Sequence, residues 1–299
     1  MIQTARWSLF VAGLSVGVLG CGGLTSAGQP DAAASIPPTS DLISSRPYKY
    51  KVPKGYDAKK PTPLVVMLHG LGASGELNEL VLHLAPLADS RTFIYAYPDG
   101  TVDRIGQRFW NATDHCCNFF NSDVDDVAYL TAVIDDLSSK YNVDAKRVFL
   151  VGHSNGGYMA HRMACDRSTK IAGIVSLAGG QWVNATNCRP QTKVSVLQVH
   201  GDKDTNVAYD GTPFTPSAHQ TVAIWADRNA CTGLLTNGGV RLDIEAGLAG
   251  AETRVEAYAG CRNDGSVELW TIEGGGHIPN FNSQWPGAIY DFLMAHPKP

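Results

Sequence analysis

Residues 148–157 read Val148-Phe-Leu-Val-Gly-His-Ser-Asn-Gly-Gly157: a short apolar run, then a histidine and a serine set among glycines. A continuously apolar run this short is a strand buried on both faces. Gly152-His-Ser-Asn-Gly156 fits G-x-S-x-G, the tight strand-to-helix turn that holds a serine hydroxyl at the carboxyl edge of a sheet. Glycine is needed on both sides because the sharp turn brings backbones close together, where a Cβ would clash. From Asn155 to Cys165 the pattern predicts the helix that such a turn feeds. Strand, turn and helix together make Ser154 a candidate nucleophile, and the rest of the fold is read outward from them.

His153 touches Ser154 in sequence but is the wrong base. Adjacent side chains on a strand-turn diverge, and a base has to reach the serine oxygen within hydrogen-bonding distance. His153 is expected to pack or hydrogen-bond beneath the turn. Around such a serine the acid and the histidine follow later in the chain. After the apolar run Val194–Val199 comes His200-Gly-Asp-Lys-Asp204, with Asp202 and Asp204 just past a strand's carboxyl end, where catalytic loops belong. This segment resembles the H-G-x-x-D segment common in folds with such a serine turn, a resemblance that favours Asp204 as the imidazole's partner and leaves Asp202 as a turn residue. After Val267–Ile272 comes Glu273-Gly-Gly-Gly-His277, whose glycines are expected to give His277 a mobile, uncrowded loop. His219, on a predicted helix, and His296, beside the chain end, are its weaker rivals. Upstream, Leu64–Leu68 runs into His69-Gly-Leu-Gly72, so the backbone N–H groups of Leu71 and Asn155 are the expected oxyanion donors.

Further apolar runs at Tyr48–Val52, Phe93–Tyr97 and Ile171–Leu177 read as strands. Helical spacing covers Val127–Leu137, with Asp125 or Asp126 as cap, then Thr221–Ala230 and Pro286–Ala295. Alternating strand and helix predicts an α/β fold with a mainly parallel sheet, as one domain over residues 46–299. Within it, Asp103–Ser122 is a long loop holding Phe109, Trp110, Phe119 and Phe120. Long loops in compact domains are commonly functional, which makes Phe109 and Trp110 candidate substrate walls; a satellite hydrophobic cluster is the alternative. Trp285 and Trp182 are further wall candidates.

The chain has 299 residues, 44% hydrophobic and 17% charged, with a formal net charge of -4. That composition is globular, and with no dense Lys/Arg block it excludes nucleic acid as a partner. The N-terminus carries one arginine and an apolar run from Trp7 to Leu19, too short to span a bilayer, so residues 1–20 read as a signal peptide. Val18-Leu-Gly-Cys21 resembles the lipobox of bacterial lipoproteins, although Leu19 is bulkier than that motif prefers, which makes Cys21 a candidate for lipidation and the sole expected membrane contact; ordinary cleavage beside a chance cysteine is the alternative. Residues 21–45, rich in Gly, Ala, Ser and Pro, read as a flexible tether. In an exported protein the other cysteines, Cys116, Cys117, Cys165, Cys188, Cys231 and Cys261, read as disulfides, with Cys231 and Cys261 the best-supported pair. Metal binding by His115-Cys116-Cys117 is disfavoured, because adjacent cysteines do not give separate tetrahedral directions.

Together VVMLHGLGASG, RFWNATDHCCN, VDDVAYL, VFLVGHSNGGYMAHRMAC, VLQVHGDKD and TIEGGGH resemble the exported α/β-hydrolase esterases grouped as polyhydroxybutyrate depolymerases and feruloyl or acetyl-xylan esterases. The motifs span most of residues 47–299. The resemblance implies an α/β-hydrolase fold, the triad Ser154, Asp204 and His277, an ester substrate, and no metal or organic cofactor. It departs at one point: Ile-Pro-Asn-Phe intervenes between His277 and Trp285-Pro-Gly, which in such proteins often follow closely. Such enzymes often append a substrate-binding module, and this chain ends after its predicted last helix, so soluble esters or oligomers are the expected substrates. A serine peptidase on the same fold and a non-catalytic glycan-binding lipoprotein are the competing readings. Nothing in the pattern sets an oligomeric state.

Overall fold

The apolar runs form strands because the chain supplies helices to cover both of their faces. A computed structural model describes residues 38–262 and 265–299. In chain order its elements are α1 (Thr39–Ser45), β1 (Tyr50–Lys51), β2 (Thr62–Leu68), α2 (Gly75–Leu82), α3 (Leu84–Arg91), β3 (Ile94–Ala96), β4 (Thr101–Val102), β5 (Arg108–Phe109), α4 (Asp126–Lys140), β6 (Val143–His153), α5 (Asn155–Asp166), β7 (Gly173–Leu177), β8 (Ser195–Gly201), α6 (Ala218–Arg228), β9 (Leu235–Leu242), β10 (Thr253–Tyr258), β11 (Val267–Ile272) and α7 (Trp285–Ala295). One sheet runs in the order β1-β3-β2-β6-β7-β8-β11-β10-β9, while β4 and β5 pair separately. From β3 to β11 the neighbours are parallel, with pairs such as Val66 with Leu150 and Ile174 with Val196 fixing the register. β1 at one edge and β10 and β9 at the other are antiparallel.

Side chains alternate across the sheet, so each central strand feeds two cores. Leu64, Val66, Leu68, Val148 and Leu150 face Leu130 of α4, Met159 of α5 and Trp225 of α6. Val65, Met67, Phe149 and Val151 face Leu84 of α3 and Ile289 and Phe292 of α7. Asp125 is the cap of α4, as expected, whereas α6 begins three residues before the expected Thr221. Asp125 accepts a hydrogen bond from the Ala128 amide at 2.9 Å, and Ser217 and Gln220 form a reciprocal capping box that starts α6 at Ala218.

The sequence pattern missed seven elements: α1, α2, α3, β4, β5, β9 and β10. β9 is almost wholly exposed and carries Asn237-Gly-Gly, so it has no apolar signature. β10 is only half-buried, with Arg254 and Glu256 between its apolar residues. α2 and α3 are short and each buries few side chains. The expected tether ends early, because Thr39–Ser45 is the helix α1 and Ile43 packs on the core. Arg46 anchors it, pairing with Asp126 and with the Thr101 hydroxyl at 2.7 Å each, its guanidinium 3.5 Å from the centre of the Tyr129 ring. The expected signal peptide, Cys21 and the tether up to residue 37 lie outside the described residues. Among the described residues three disulfides join Cys231 to Cys261, Cys165 to Cys188, and the neighbours Cys116 and Cys117.

Candidate active site

The turn after β6 is built for close approach. Ser154 sits at φ 54° and ψ -120°, a left-handed conformation that costs a non-glycine residue about 1–3 kcal/mol and recurs at functional sites. A Cβ on Gly152 would lie 2.1 Å from the Gly156 carbonyl oxygen, and one on Gly156 would lie 2.1 Å from that of Leu68. Only glycine lets α5 leave the strand so steeply and pack against β2. The Ser154 amide donates to Leu177 O at 2.8 Å, which locks the turn onto β7. Asn155 then opens α5, where first-turn amides have no intrahelical partner and the helix dipole is positive.

The loops after β8 and β11 bring the other two groups to the serine. His277 Nε2 lies 2.9 Å from Ser154 Oγ, and its Nδ1 lies 2.7 Å from Asp204 Oδ2. The second Asp204 oxygen accepts the amides of Asn206 and Val207 at 2.8 and 2.9 Å. Burial pushes the Asp204 carboxyl up, but the hydrogen bonds from His200, His277 and the Val207 amide outweigh it and hold the group well below the ordinary carboxylate range. An ionised Asp204 fixes the tautomer of His277, with Nδ1–H donating to it and Nε2 free to accept the serine proton. The Asp204 side chain is fully buried, whereas 12% of His277 remains exposed, enough for substrate to reach it.

The glycine loop before His277 is tied down rather than mobile. Gly274 N–H donates to Asp202 Oδ1 at 2.7 Å, and Gly275 O accepts the Lys203 amide at 2.9 Å. Asp202, expected only as a turn residue, therefore latches the acid loop to the histidine loop. His153 supplies the third tie. Its Nε2 lies 2.9 Å from the His277 carbonyl oxygen, so it donates there, and the two rings stand 5.1 Å apart. Burial lowers the His153 pKa to about 4, which keeps the ring neutral and its Nε2 proton available for that bond at ordinary pH.

Leu71 lines the cleft beside Ser154, and a Cβ on Gly70 would lie 3.4 Å from Ser154 Cβ. Phe109 and Trp110 do not form a substrate wall. Both are buried, and Trp110 instead braces the two segments that carry the expected oxyanion donors. Its indole Nε1–H donates to His69 O at 3.0 Å, while its backbone pairs with the Asn155 side-chain amide at 2.7 and 3.0 Å. Trp285 is also no wall residue. It is fully buried, stacked on Phe281 at 3.8 Å in the core beneath α7. The intervening Ile-Pro-Asn-Phe segment gives the chain length to carry it there.

The cleft over Ser154 has a volume of about 680 Å³. Leu77 and Val81 of α2, the bonded Cys116 and Cys117, Phe119 and Ile278 supply its apolar walls. Thr205, Asn206, Thr212 and Thr215 supply hydroxyl and amide groups on the acid-loop side. Ile278 and Thr205 directly follow His277 and Asp204, so adjacency to the triad was the signal that could have found them. Leu77 and Val81 had none, because α2 itself was not legible. Cys116 and Cys117 are bonded to each other rather than held as thiolates, and among the described residues no three His, Cys, Asp or Glu cluster as metal ligands.

A parallel sheet with a strained serine turn, an acid after β8 and a histidine after β11 defines an α/β-hydrolase. The chain belongs to the phospholipase/carboxylesterase family, whose pattern matches residues 56–232. A Nocardia uniformis subsp. tsuyamanensis protein named as an esterase, NocK, is 28% identical over 285 residues, covering 89% of this chain and 79% of its own. Feruloyl esterase B of Piromyces equi is 30% identical over 239 residues, covering 76% of this chain and 41% of its own length. Among solved structures, an acetyl xylan esterase from Aspergillus awamori shares the fold with a TM-score of 0.56 at 17% identity, covering 80% of this chain and 92% of its own. This chain is a carboxylic ester hydrolase.

Proposed function

We propose that the protein is an exported serine carboxylesterase that works through an acyl-enzyme on Ser154. The observation that carries this reading is the unbroken hydrogen-bonded series from Ser154 Oγ through His277 to Asp204, at 2.9 and 2.7 Å. Ser154 Oγ attacks the ester carbonyl carbon while its proton passes to His277 Nε2. Asp204 stabilises the imidazolium that results. The amides of Leu71 and Asn155 hold the oxyanion of the tetrahedral intermediate, in a cleft whose apolar walls strengthen those bonds. As the intermediate collapses, the bond to the alcohol oxygen breaks and His277 Nε2 returns the proton to the leaving alcohol. Water then enters, gives its proton to His277 and releases the acid by the same steps in reverse order.

The substrate class proposed is that of feruloyl and acetyl-xylan esterases and polyhydroxybutyrate depolymerases, as soluble esters or oligomers. The names of the relatives support the feruloyl and acetyl-xylan esterase part of it, and so does a cleft lined by both apolar groups and hydroxyl and amide groups. Disulfides between Cys165 and Cys188 and between Cys231 and Cys261 support export to an oxidising compartment, where a lipidated Cys21 would anchor the enzyme. Hydrolysis of p-nitrophenyl acetate by the wild type and by Ser154→Ala tests the reading. Turnover by the wild type that falls to background in the variant is expected. Background rates in both, or cleavage of peptides without any ester turnover, would replace it.

A further inference from the structure

Behind Asp204 lies a row of buried polar side chains that the steps above do not use. Trp225 on α6, His161 on α5, and Gln198 and His200 on β8 are each at most 1% exposed. Polar groups at such depth are retained only where hydrogen bonds offset their lost hydration. Here every bond has one permitted direction. An indole nitrogen only donates, so Trp225 Nε1–H gives its proton to His161 Nδ1 at 2.9 Å. Burial lowers the His161 pKa to about 4, so the ring is neutral, its proton is on Nε2, and it donates to Gln198 Oε1 at 3.1 Å. The Gln198 amide nitrogen then faces the Gly179 carbonyl at 2.9 Å and His200 Nδ1 at 3.2 Å, and donates to both. A flipped amide would set two oxygens against each other at Gly179.

With Nδ1 accepting, the His200 proton sits on Nε2. That nitrogen lies 2.9 Å from Val207 O and 3.3 Å from Asp204 Oδ2. In the other tautomer a nitrogen lone pair would face both oxygens and push the acid loop away. We propose that His200 is a positioning residue that holds the Asp204 carboxylate and its loop, and that Trp225, His161 and Gln198 act as a tautomer lock setting which His200 nitrogen carries the proton. This rests on Asp204 being the partner of His277. The indole is the distal end of the lock, because it is the one member whose donor role does not depend on its neighbours. The other titratable groups around the triad are His153 at the end of β6, Tyr158 on α5 and Tyr209, whose ring stands edge-on to His200 at 5.7 Å. On the acid loop, Asp202 and Lys203 pair with each other.

The test begins with the wild-type enzyme, where nitrogen-15 spectra of the histidine side chains report the tautomers directly. A protonated Nε2 and bare Nδ1 on both His161 and His200 are expected; a protonated Nδ1 on His200 overturns the lock. The second arm measures kcat and the pH dependence of kcat/KM on p-nitrophenyl acetate, with melting temperatures, for His200→Leu, His200→Gln and Gln198→Met. His200→Leu should lower kcat about tenfold or more with KM little changed, as expected for losing a donor to a charged group. Its acid limb should move to higher pH, because a carboxylate with one donor fewer interacts more strongly with His277. Gln198→Met should shift the limb the same way, and His200→Gln, which restores a donor, should recover most of the rate. An unmoved limb in both His200→Leu and Gln198→Met, whatever the change in melting temperature, overturns the proposal. Asp204→Asn separates the underlying reading: if that variant keeps wild-type activity, the triad assignment fails, whereas loss of activity there with an unmoved limb in the other variants fails the lock alone.

Discussion

Replacing His153 by glutamine tests whether a buried, neutral imidazole ties the catalytic histidine loop in place. The perturbation removes a titrating group and keeps an amide donor near the His277 carbonyl, which His153 Nε2 approaches to 2.9 Å. Burial moves the His153 pKa from 6.5 to about 4, partly opposed by the bond to that carbonyl. Between those two values the unfolded chain binds a proton that the folded chain refuses. Stability therefore falls as pH drops from 6.5 towards 4, and the contribution is flat above 6.5. At pH 5 the difference amounts to roughly 2 kcal/mol, from about 1.4 kcal/mol for each of about 1.5 pH units. His161 carries a similar shift but is present in both proteins, so the difference between their slopes belongs to position 153. Urea unfolding at pH 5 and pH 7.5, with the disulfides oxidised, is the assay. The variant should lose about 2 kcal/mol less than the wild type between the two conditions. A variant with the wild type's pH dependence would refute the buried neutral state.

The same variant bears on catalysis: His153→Gln should lower kcat less than about tenfold, whereas His277→Ala should lose on the order of 10⁴ or more, and equal losses would reverse the two roles. Trp110→Phe removes the indole donor to His69 O and leaves a buried carbonyl unsatisfied, so calorimetry should show a loss of about 1–3 kcal/mol, with a fall in kcat that exceeds any rise in KM. An unchanged kcat would show that Trp110 does not position the oxyanion segments. Replacing Cys231 and Cys261 together by serine opens a loop with a sequence separation of 30, for which chain entropy gives a loss of about 3–4 kcal/mol by denaturant unfolding. A loss below about 1 kcal/mol would mean that the exposed segment around β9 contributes little to holding the fold.

What could be read from the sequence was local. Ser154, Asp204 and His277 each follow an apolar run by a few residues, so position at a strand end placed them before any contact was known. The G-x-S-x-G glycines were legible for the same reason, since the clash they avoid lies within one turn. Burial of loop aromatics was not legible. Trp110 and Trp285 have the composition of a substrate wall, and only long-range packing sends one to brace Asn155 and buries the other in the core beneath α7. The rigidity of the Glu273-Gly-Gly-Gly-His277 loop is not legible in the sequence because its ties come from Asp202, Lys203 and His153, all distant along the chain. β9 escaped because an exposed edge strand does not need the apolar pattern by which strands are recognised.

The most direct measurement of the central claim is to trap the acyl-enzyme. A slowly turned-over p-nitrophenyl ester is mixed with the wild type, quenched in acid during turnover, digested and weighed by mass spectrometry. The account predicts the acyl group on the peptide that carries Ser154, at its hydroxyl, and no such adduct in Ser154→Ala. An acyl group on any other residue, or steady hydrolysis with Ser154 unmodified and the alanine variant still active, would contradict it.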